Sequence, residues 1–347
     1  MRHGNNRRIK PDHTRAPTMH LSSRSKLEHV LFWSNPMVTE SNSLEQKLPP
    51  SVVKALRGFM QTGFWNRWAD ATETALQQPA RQFDPEFMRK LVPKMETFMS
   101  YFGAEVRGMD RVPQSPVLLI GNHSGGVITP DTSAVYATWY RTRGFEDPLM
   151  GLAFDGIYAV PGWRDLMRKI GQMPASMDNA QAALGDGCSV LLYPGGSYEV
   201  FRPWRDRNRI MFNDRKGFIR LALKVGVPVV PVVGHGGHET TIVLTRGERL
   251  AKLLGLDKVR MDGAPLLLQF PWGISIPATP GFPLPARITV QVCEPLDWSR
   301  FGPEGADDPE VLEQCYQEIT SLMQTTLDAL AIENPRPLLS RFLPRKG

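Results

Sequence analysis

From residue 115 onward the chain alternates short apolar runs with amphipathic stretches. The runs cover 117–120, 189–193, 227–233, 266–270 and 288–292. Each has the length and composition of a buried strand. Between them, 131–143, 163–170, 177–185 and 215–225 read as helices. This order predicts an α/β fold with a central, mostly buried sheet flanked by helices. An N-terminal helical segment comes before it. Its first helix, 51–78, can be capped by Ser51 and sets Val52, Leu56, Phe59, Met60, Phe64, Trp65 and Trp68 near helical spacing. Its second, 85–102, offers Phe87, Leu91, Met95 and Phe98 as one stripe, with Pro93 expected to kink or split it. A closing helix, 309–332, carries Leu312, Tyr316, Ile319, Leu322, Met323 and Leu327 on one face and is stopped by Pro335 and Pro337. The chain therefore divides into a polar leader read as disordered (1–50), the helical segment (51–108), the α/β domain (109–300) and a C-terminal helix and tail (301–347).

Charge sharpens that division. The 347 residues, 41% of them hydrophobic, can bury a substantial core, and the net charge is +6. Residues 1–30 hold seven Arg and Lys against two acidic residues, so +5 of the excess sits in the leader. A basic leader on a near-neutral body suits either attraction to anionic lipid headgroups or a solvated tail. No zinc-finger spacing, RNA-binding aromatic signature or basic helix supports a nucleic-acid partner. Cys188, Cys293 and Cys315 are widely spaced and form no Cys-x-x-Cys pair, which fits a reducing cytosol. The leader has no sustained apolar region after its charges, and no window offers the uncharged length of a spanning helix. The expectation is a cytoplasmic protein that is soluble or bound to a membrane surface.

Three apolar runs lead straight into glycine-rich polar turns. Val117–Ile120 runs into Gly121-Asn122-His123-Ser124-Gly125-Gly126, with Asp131 following. Leu191-Leu192 runs into Tyr193-Pro194-Gly195-Gly196-Ser197-Tyr198-Glu199, and Val229–Val233 into Gly234-His235-Gly236-Gly237-His238-Glu239. Ligands of open α/β sheets bind beyond the carboxyl ends of strands, so three such turns can share one site. A His in such a turn with a carboxylate near it makes a general base whose tautomer the carboxylate fixes. Taken alone, the His123 segment equally fits an ordinary strand-to-helix turn. The backbone amides of Gly195 and Gly196 are candidate oxyanion donors. Ser124 and Ser197 lack the Gly-x-Ser-x-Gly elbow of a serine nucleophile. His235, His238 and Glu239 form His-x-x-His-Glu, but not the helical spacing of zinc hydrolases, so a lining or structural role is expected and no metal.

The ordered set Asn-His-x-Gly-Gly…Asp, Tyr-Pro-Gly-Gly-x-x-Glu, Lys-Gly-Phe…Ala-Leu and Val-Pro-Val-Val-Pro-Val resembles the glycerolipid (lysophospholipid) acyltransferase superfamily. It is most similar to the branch with mono- and diacylglycerol acyltransferases, and the resemblance covers roughly residues 110–295. It implies transfer of an acyl group from acyl-CoA, as co-substrate and with no other cofactor, to a lipid hydroxyl. By the same resemblance His123 is the general base and Asp131 its orienting carboxylate. Asn122, Gly195, Gly196, Glu199 and Arg202 are the candidate substrate-binding residues.

The sequence departs from the family pattern twice. Seven residues separate His123 from Asp131, more than the family's usual spacing. The phosphate-handling branch has Glu-Gly-Thr-Arg where this chain has Gly195-Gly196-Ser197, which points to an acceptor without phosphate. Arg202, Arg205, Arg207 and Arg209 follow closely and could grip a phosphate instead, of the acceptor or of CoA. A lysophosphatidate-type enzyme, a serine lipid esterase and a non-catalytic lipid-binding protein stay open as alternatives. Without a spanning helix, such a protein would meet its lipid at a peripheral membrane surface. Phe59, Phe64, Trp65 and Trp68, or the segment 264–278 with Phe270, Pro271 and Trp272, are core or interfacial anchors.

Overall fold

A computed structural model describes residues 83–343, except 115, 124–125, 127, 155–156, 159–161, 249–250, 252–262, 278 and 280. The leader and the helix expected over 51–78 lie outside the described residues. The first described helix, α1 (Pro85–Phe102), starts where the Asp84 side chain accepts from the Phe87 amide at 2.9 Å, and ends on left-handed Gly103. Strand β1 (Glu105–Arg107) follows, and β2 (Leu118–Gly121) is the first of the apolar runs. Next come α2 (Pro130–Arg143), β3 (Leu149–Ala153), α3 (Trp163–Lys169), β4 (Gln172–Pro174), α4 (Met177–Gly185) and β5 (Ser189–Leu192). The short α5 (Gly196–Val200), α6 (Gly217–Val225) and β6 (Val229–His235) lead to a separate antiparallel sheet of β7 (Ile242–Thr245), β8 (Leu266–Gln269) and β9 (Gly273–Ser275). The chain closes with β10 (Thr289–Val292), the long α7 (Pro309–Glu333) and α8 (Pro337–Ser340).

The main sheet has seven strands in the order β1-β10-β6-β2-β5-β3-β4. Strands β6, β2, β5, β3 and β4 run parallel, while β10 pairs antiparallel with β6. Side chains alternate across it as the pleat requires. Leu118, Ile120, Val190, Leu192, Val229 and Val233 face α4, α6 and α7, joining Phe218, Ile219, Ile319, Met323 and Leu327. Leu119, Leu191, Val230, Val232 and Val290 face α1 and α2, joining Met88, Val92, Phe102, Trp139 and Tyr140. The product is a three-layer α/β/α body, so the expected fold class holds. Strand β1, from the expected N-terminal segment, completes one edge of this sheet, and α7 packs against β6. The segment borders near 108 and 300 thus fall within one packed body.

Three expectations need correction. Helix α1 passes through Pro93 as one helix, so the proline does not split it. Pro93 sits on the exposed face, where solvent can take the Arg89 carbonyl that loses its N–H partner. The buried stripe of α1 is Met88, Val92, Met99 and Phe102, with Leu91 and Met95 partly buried, rather than Phe87, Leu91, Met95 and Phe98. Phe98 is exposed and meets Phe102 edge-on at 5.1 Å. The run 266–270 does not join the central sheet but forms the middle strand of the smaller one. Strands β1, β3, β4, β7 and β9 were not anticipated. Most are three or four residues long, too short for a periodicity to register.

Because Pro93 removes one backbone bond from an otherwise regular exposed turn, Pro93→Ala should raise unfolding stability by about 1–3 kcal/mol in denaturant titration. A loss of stability would show that the proline is needed where it stands.

Candidate active site

The three glycine-rich turns leave β2, β5 and β6, adjacent parallel strands, so they emerge together at the carboxyl edge of the sheet. Asn122 extends the β2–β6 pairing beyond the strand. Its Nδ2 donates to the Gly234 carbonyl at 2.9 Å, and its Oδ1 accepts from the Gly234 amide at 2.7 Å. The side chain thus imitates a strand neighbour, fixing the turn that carries His123.

The His123 peptide is held from both sides. Its N–H donates to Glu199 Oε2 at 2.9 Å, and its C=O accepts from Arg202 Nη1 at 2.8 Å. Glu199 and Arg202, both buried, are themselves paired, with Arg202 Nη1 3.3 Å from Glu199 Oε1. Glu199 Oε1 also accepts from the Met211 amide at 3.2 Å. Arg202 spends the rest of its fork on the Arg207 carbonyl, from Nη2 at 3.0 Å and Nε at 3.3 Å. Burial pushes the Glu199 carboxyl up, and Arg202 with the two backbone N–H groups pulls it back. Burial likewise pushes Arg202 down against the pull of Glu199. Both carboxylate oxygens accept hydrogen bonds, which is the arrangement an ionised pair fills.

The half-buried His123 ring lies against Tyr193, with centroids 4.6 Å apart. Tyr193 Oη shares a 2.7 Å hydrogen bond with Thr132 Oγ1 in the first turn of α2. Burial, and then the nearby Asp131 charge, hold the Tyr193 phenol well above its usual range, so it stays neutral. A side-chain carbon at Gly121 would run into this ring, which is why β2 must end on glycine there. Asp131 is buried in the same first turn, its Oδ2 within 3.1 Å of where Gly234 would carry a Cβ. Asn122 and Asp131 therefore press on one backbone unit, and Asp131 sits beside the His123 turn despite the longer spacing in sequence.

The remaining candidates occupy the same edge in different ways. A Cβ on Gly195 would collide with the Glu199 side chain, and the Gly196 amide donates to the Tyr193 carbonyl at 3.1 Å. Of the two expected oxyanion amides, that of Gly196 is thereby committed to its own turn. Arg215 Nη1 donates to the carbonyls of Pro194 and Gly195, each at 3.1 Å, and so braces this turn. His238 Nε2 donates to the Arg202 carbonyl at 3.0 Å, and Arg207 Nε meets Glu239 Oε1 at 3.1 Å. The His-x-x-His-Glu segment is therefore built into the support of Arg202, and no metal-holding group of His, Cys, Asp and Glu occurs among the described residues. Arg205 and Arg209 are exposed and both pair with Asp206. Ser197 is exposed on α5, and Ser124 lies outside the described residues.

Comparison with known proteins points to acyltransferases. Residues 103–234 match the Acyltransferase family model. An uncharacterized protein of Mycobacterium tuberculosis is 27% identical over 247 residues, 71% of this chain and 67% of that protein. Diacylglycerol O-acyltransferase 2 of Danio rerio is 30% identical over 195 residues, 51% of this chain and 52% of that protein. Over these residues the chain is similar to acyltransferases. Among solved structures, the 1-acyl-sn-glycerophosphate acyltransferase of Thermotoga maritima superposes with a TM-score of 0.44 at 16% identity, over 81% of this chain and 95% of that one.

Tyr193, Thr132 and Arg215 were not among the residues expected from the sequence. The one available signal was Gly121 closing an apolar strand, which leaves room for a large ring from the neighbouring strand end.

Two buried imidazoles also tie the protein's stability to pH. Burial, with Arg207 adding to it, pulls His235 from 6.5 down to about 4, and His238 is pulled down in the same sense. Both are protonated more readily unfolded than folded. Their stabilising contribution is complete above pH 6.5 and is lost as pH falls toward 4. At about 1.4 kcal/mol per unit, His235 alone should account for roughly 3 kcal/mol of that loss. Urea unfolding at stepped pH should show wild type losing that much more than His235→Gln between neutral pH and pH 4. Parallel curves would refute the assignment.

Proposed function

We propose that this protein is an acyltransferase that moves a fatty acyl group from acyl-CoA to a hydroxyl of a glycerolipid-type acceptor that carries no phosphate. His123 is the general base. It takes the proton from the acceptor hydroxyl as the oxygen attacks the thioester carbonyl carbon. The tetrahedral intermediate then collapses, expelling the CoA thiolate, which recovers the proton from the imidazolium. No covalent enzyme intermediate is needed. Asp131 holds the imidazole tautomer and stabilises the imidazolium. The Gly195 amide is the oxyanion donor of this reading.

The observation that carries it is the grip on the His123 peptide by Glu199 and Arg202 at the carboxyl edge of the sheet. A base must be held to within a fraction of an ångström of its proton, and a peptide fixed at both its N–H and its C=O is held in that way. Two further facts favour an uncharged acceptor. Arg202 is buried and turns its fork onto protein groups rather than toward a substrate phosphate. The similarity to a diacylglycerol O-acyltransferase points in the same direction. Ile128 and Phe154 expose apolar side chains beside this edge, where an acyl chain could lie. Cytoplasmic placement against a membrane surface is part of the same proposal.

The exposed Arg205 and Arg209 favour one rival, a phosphorylated acceptor. An acceptor screen with labelled acyl-CoA and thin-layer separation of products distinguishes the two. Wild type should acylate mono- or diacylglycerol, and His123→Ala should lose about 10²–10⁴-fold of the rate. Unchanged turnover in His123→Ala would refute the base. Selective use of a lysophosphatidate-type acceptor, with a raised KM in Arg205→Ala, would move the reading to the rival.

A further inference from the structure

The small β7-β8-β9 sheet is apolar on its outward face as well as its inward one. An antiparallel sheet packed on a body normally turns a polar face to water. Here Val243 and Leu267 pack inward, and Leu244, Leu268 and Ile274 project outward, with Leu268 and Ile274 directly opposite in register. Phe270 is 64% exposed, Trp272 58%, Ile274 69% and Phe282 71%. These side chains form a contiguous apolar end, since Phe270 and Phe282 bridge through the Phe282 amide to the Phe270 carbonyl at 2.9 Å.

We infer that this sheet is the surface by which the protein enters a lipid bilayer, seating its aromatic end at the boundary of headgroups and acyl chains. Three features of the segment favour a bilayer over a protein partner. Residues 263–286 contain no Asp, Glu, Lys, Arg or His, in a chain where 22% of residues are charged. A protein interface keeps a polar rim, whereas hydrocarbon tolerates none. Six prolines within 263–286 remove backbone N–H donors, and the polar pair Gln269 and Ser275 satisfies itself through a 2.7 Å hydrogen bond. Both reduce the polar groups that entry into hydrocarbon would leave unpaired. Trp is favoured at that boundary, and Phe is typical of apolar faces that seat there.

The sheet is continuous with the candidate active site. Strand β7 begins just after the His238–Glu239 turn, and the Leu284 amide donates to the Thr240 carbonyl at 2.8 Å. Thr241 packs so closely on Gly126, three residues past His123, that a Cβ there would be 2.9 Å from its hydroxyl. A bilayer meeting this face would bring its lipids to the rim of the His123 turn. The surface rests on the lipid-acceptor reading for its purpose only, and its test reads binding apart from turnover.

The full chain is floated with neutral phosphatidylcholine vesicles in 0.5 M salt, on the order of a 4 Å screening length, which suppresses any pull of the basic leader. Wild type should float, and the triple variant Phe270→Glu, Trp272→Glu, Ile274→Glu should lose at least tenfold in partitioning. Ile332→Glu, an exposed apolar position on α7, should float like wild type. All three proteins should turn over a short-chain thioester with a monomeric water-soluble acceptor equally. Loss of flotation by the triple variant with no turnover in any protein would keep the docking surface and sink the acyl-transfer reading. The inference is overturned if the triple variant floats like wild type, or if wild type does not float. It is equally overturned if the substitutions leave flotation intact but split a dimer or lower Tm, which would show the face covered by a second copy or by residues 51–78.

Discussion

The candidate site depends on one buried ion pair. Glu199 and Arg202 come from a single short turn after β5, yet between them they hold the His123 peptide by its N–H and its C=O. Burying two charges is costly, and the pair is tolerable because both partners also hydrogen-bond backbone groups. That requirement explains much of the surroundings. The carbonyl of Arg202 is supported by His238, and the carbonyl of Arg207 receives the guanidinium while its own side chain pairs with Glu239. Removing either partner would leave a buried charge uncompensated, a loss of about 3–5 kcal/mol.

The pair also constrains where glycine must stand. Gly195 has no side chain because Glu199 fills that space, and Gly121 has none because the Tyr193 ring does. The glycines of these turns are therefore consequences of close packing around His123. Arg202 illustrates the point. A fork that suits a phosphate is here turned inward onto carbonyls.

Much of this was legible in the sequence, for identifiable reasons. The buried strands 118–121, 189–192 and 229–235 were visible as apolar runs, and their glycine-rich exits marked the carboxyl edge where the turns meet. His123 stood out by type and position. What escaped was decided by contacts between segments distant in the chain. Nothing near Arg202 shows that its fork would bind the carbonyl of residue 123, and nothing near Tyr193 shows that it would lie on the imidazole. Helix α1 was placed correctly, but its buried face was misjudged by a register step, because Phe87 and Phe98 outrank Met88 and Met99 in apolar size. The small apolar sheet was missed as a sheet because its strands are short and apolar on the outward face too.

The most direct test of the central claim is the turnover of Glu199→Gln, which keeps the side-chain shape and removes the charge. Steady-state kinetics on folded protein should show kcat lower by about 10²-fold, the effect of a misplaced base, with KM for the acyl donor within a few-fold of wild type. A folded Glu199→Gln protein with wild-type kcat would show that the grip on the His123 peptide does not set the base, and would contradict the account.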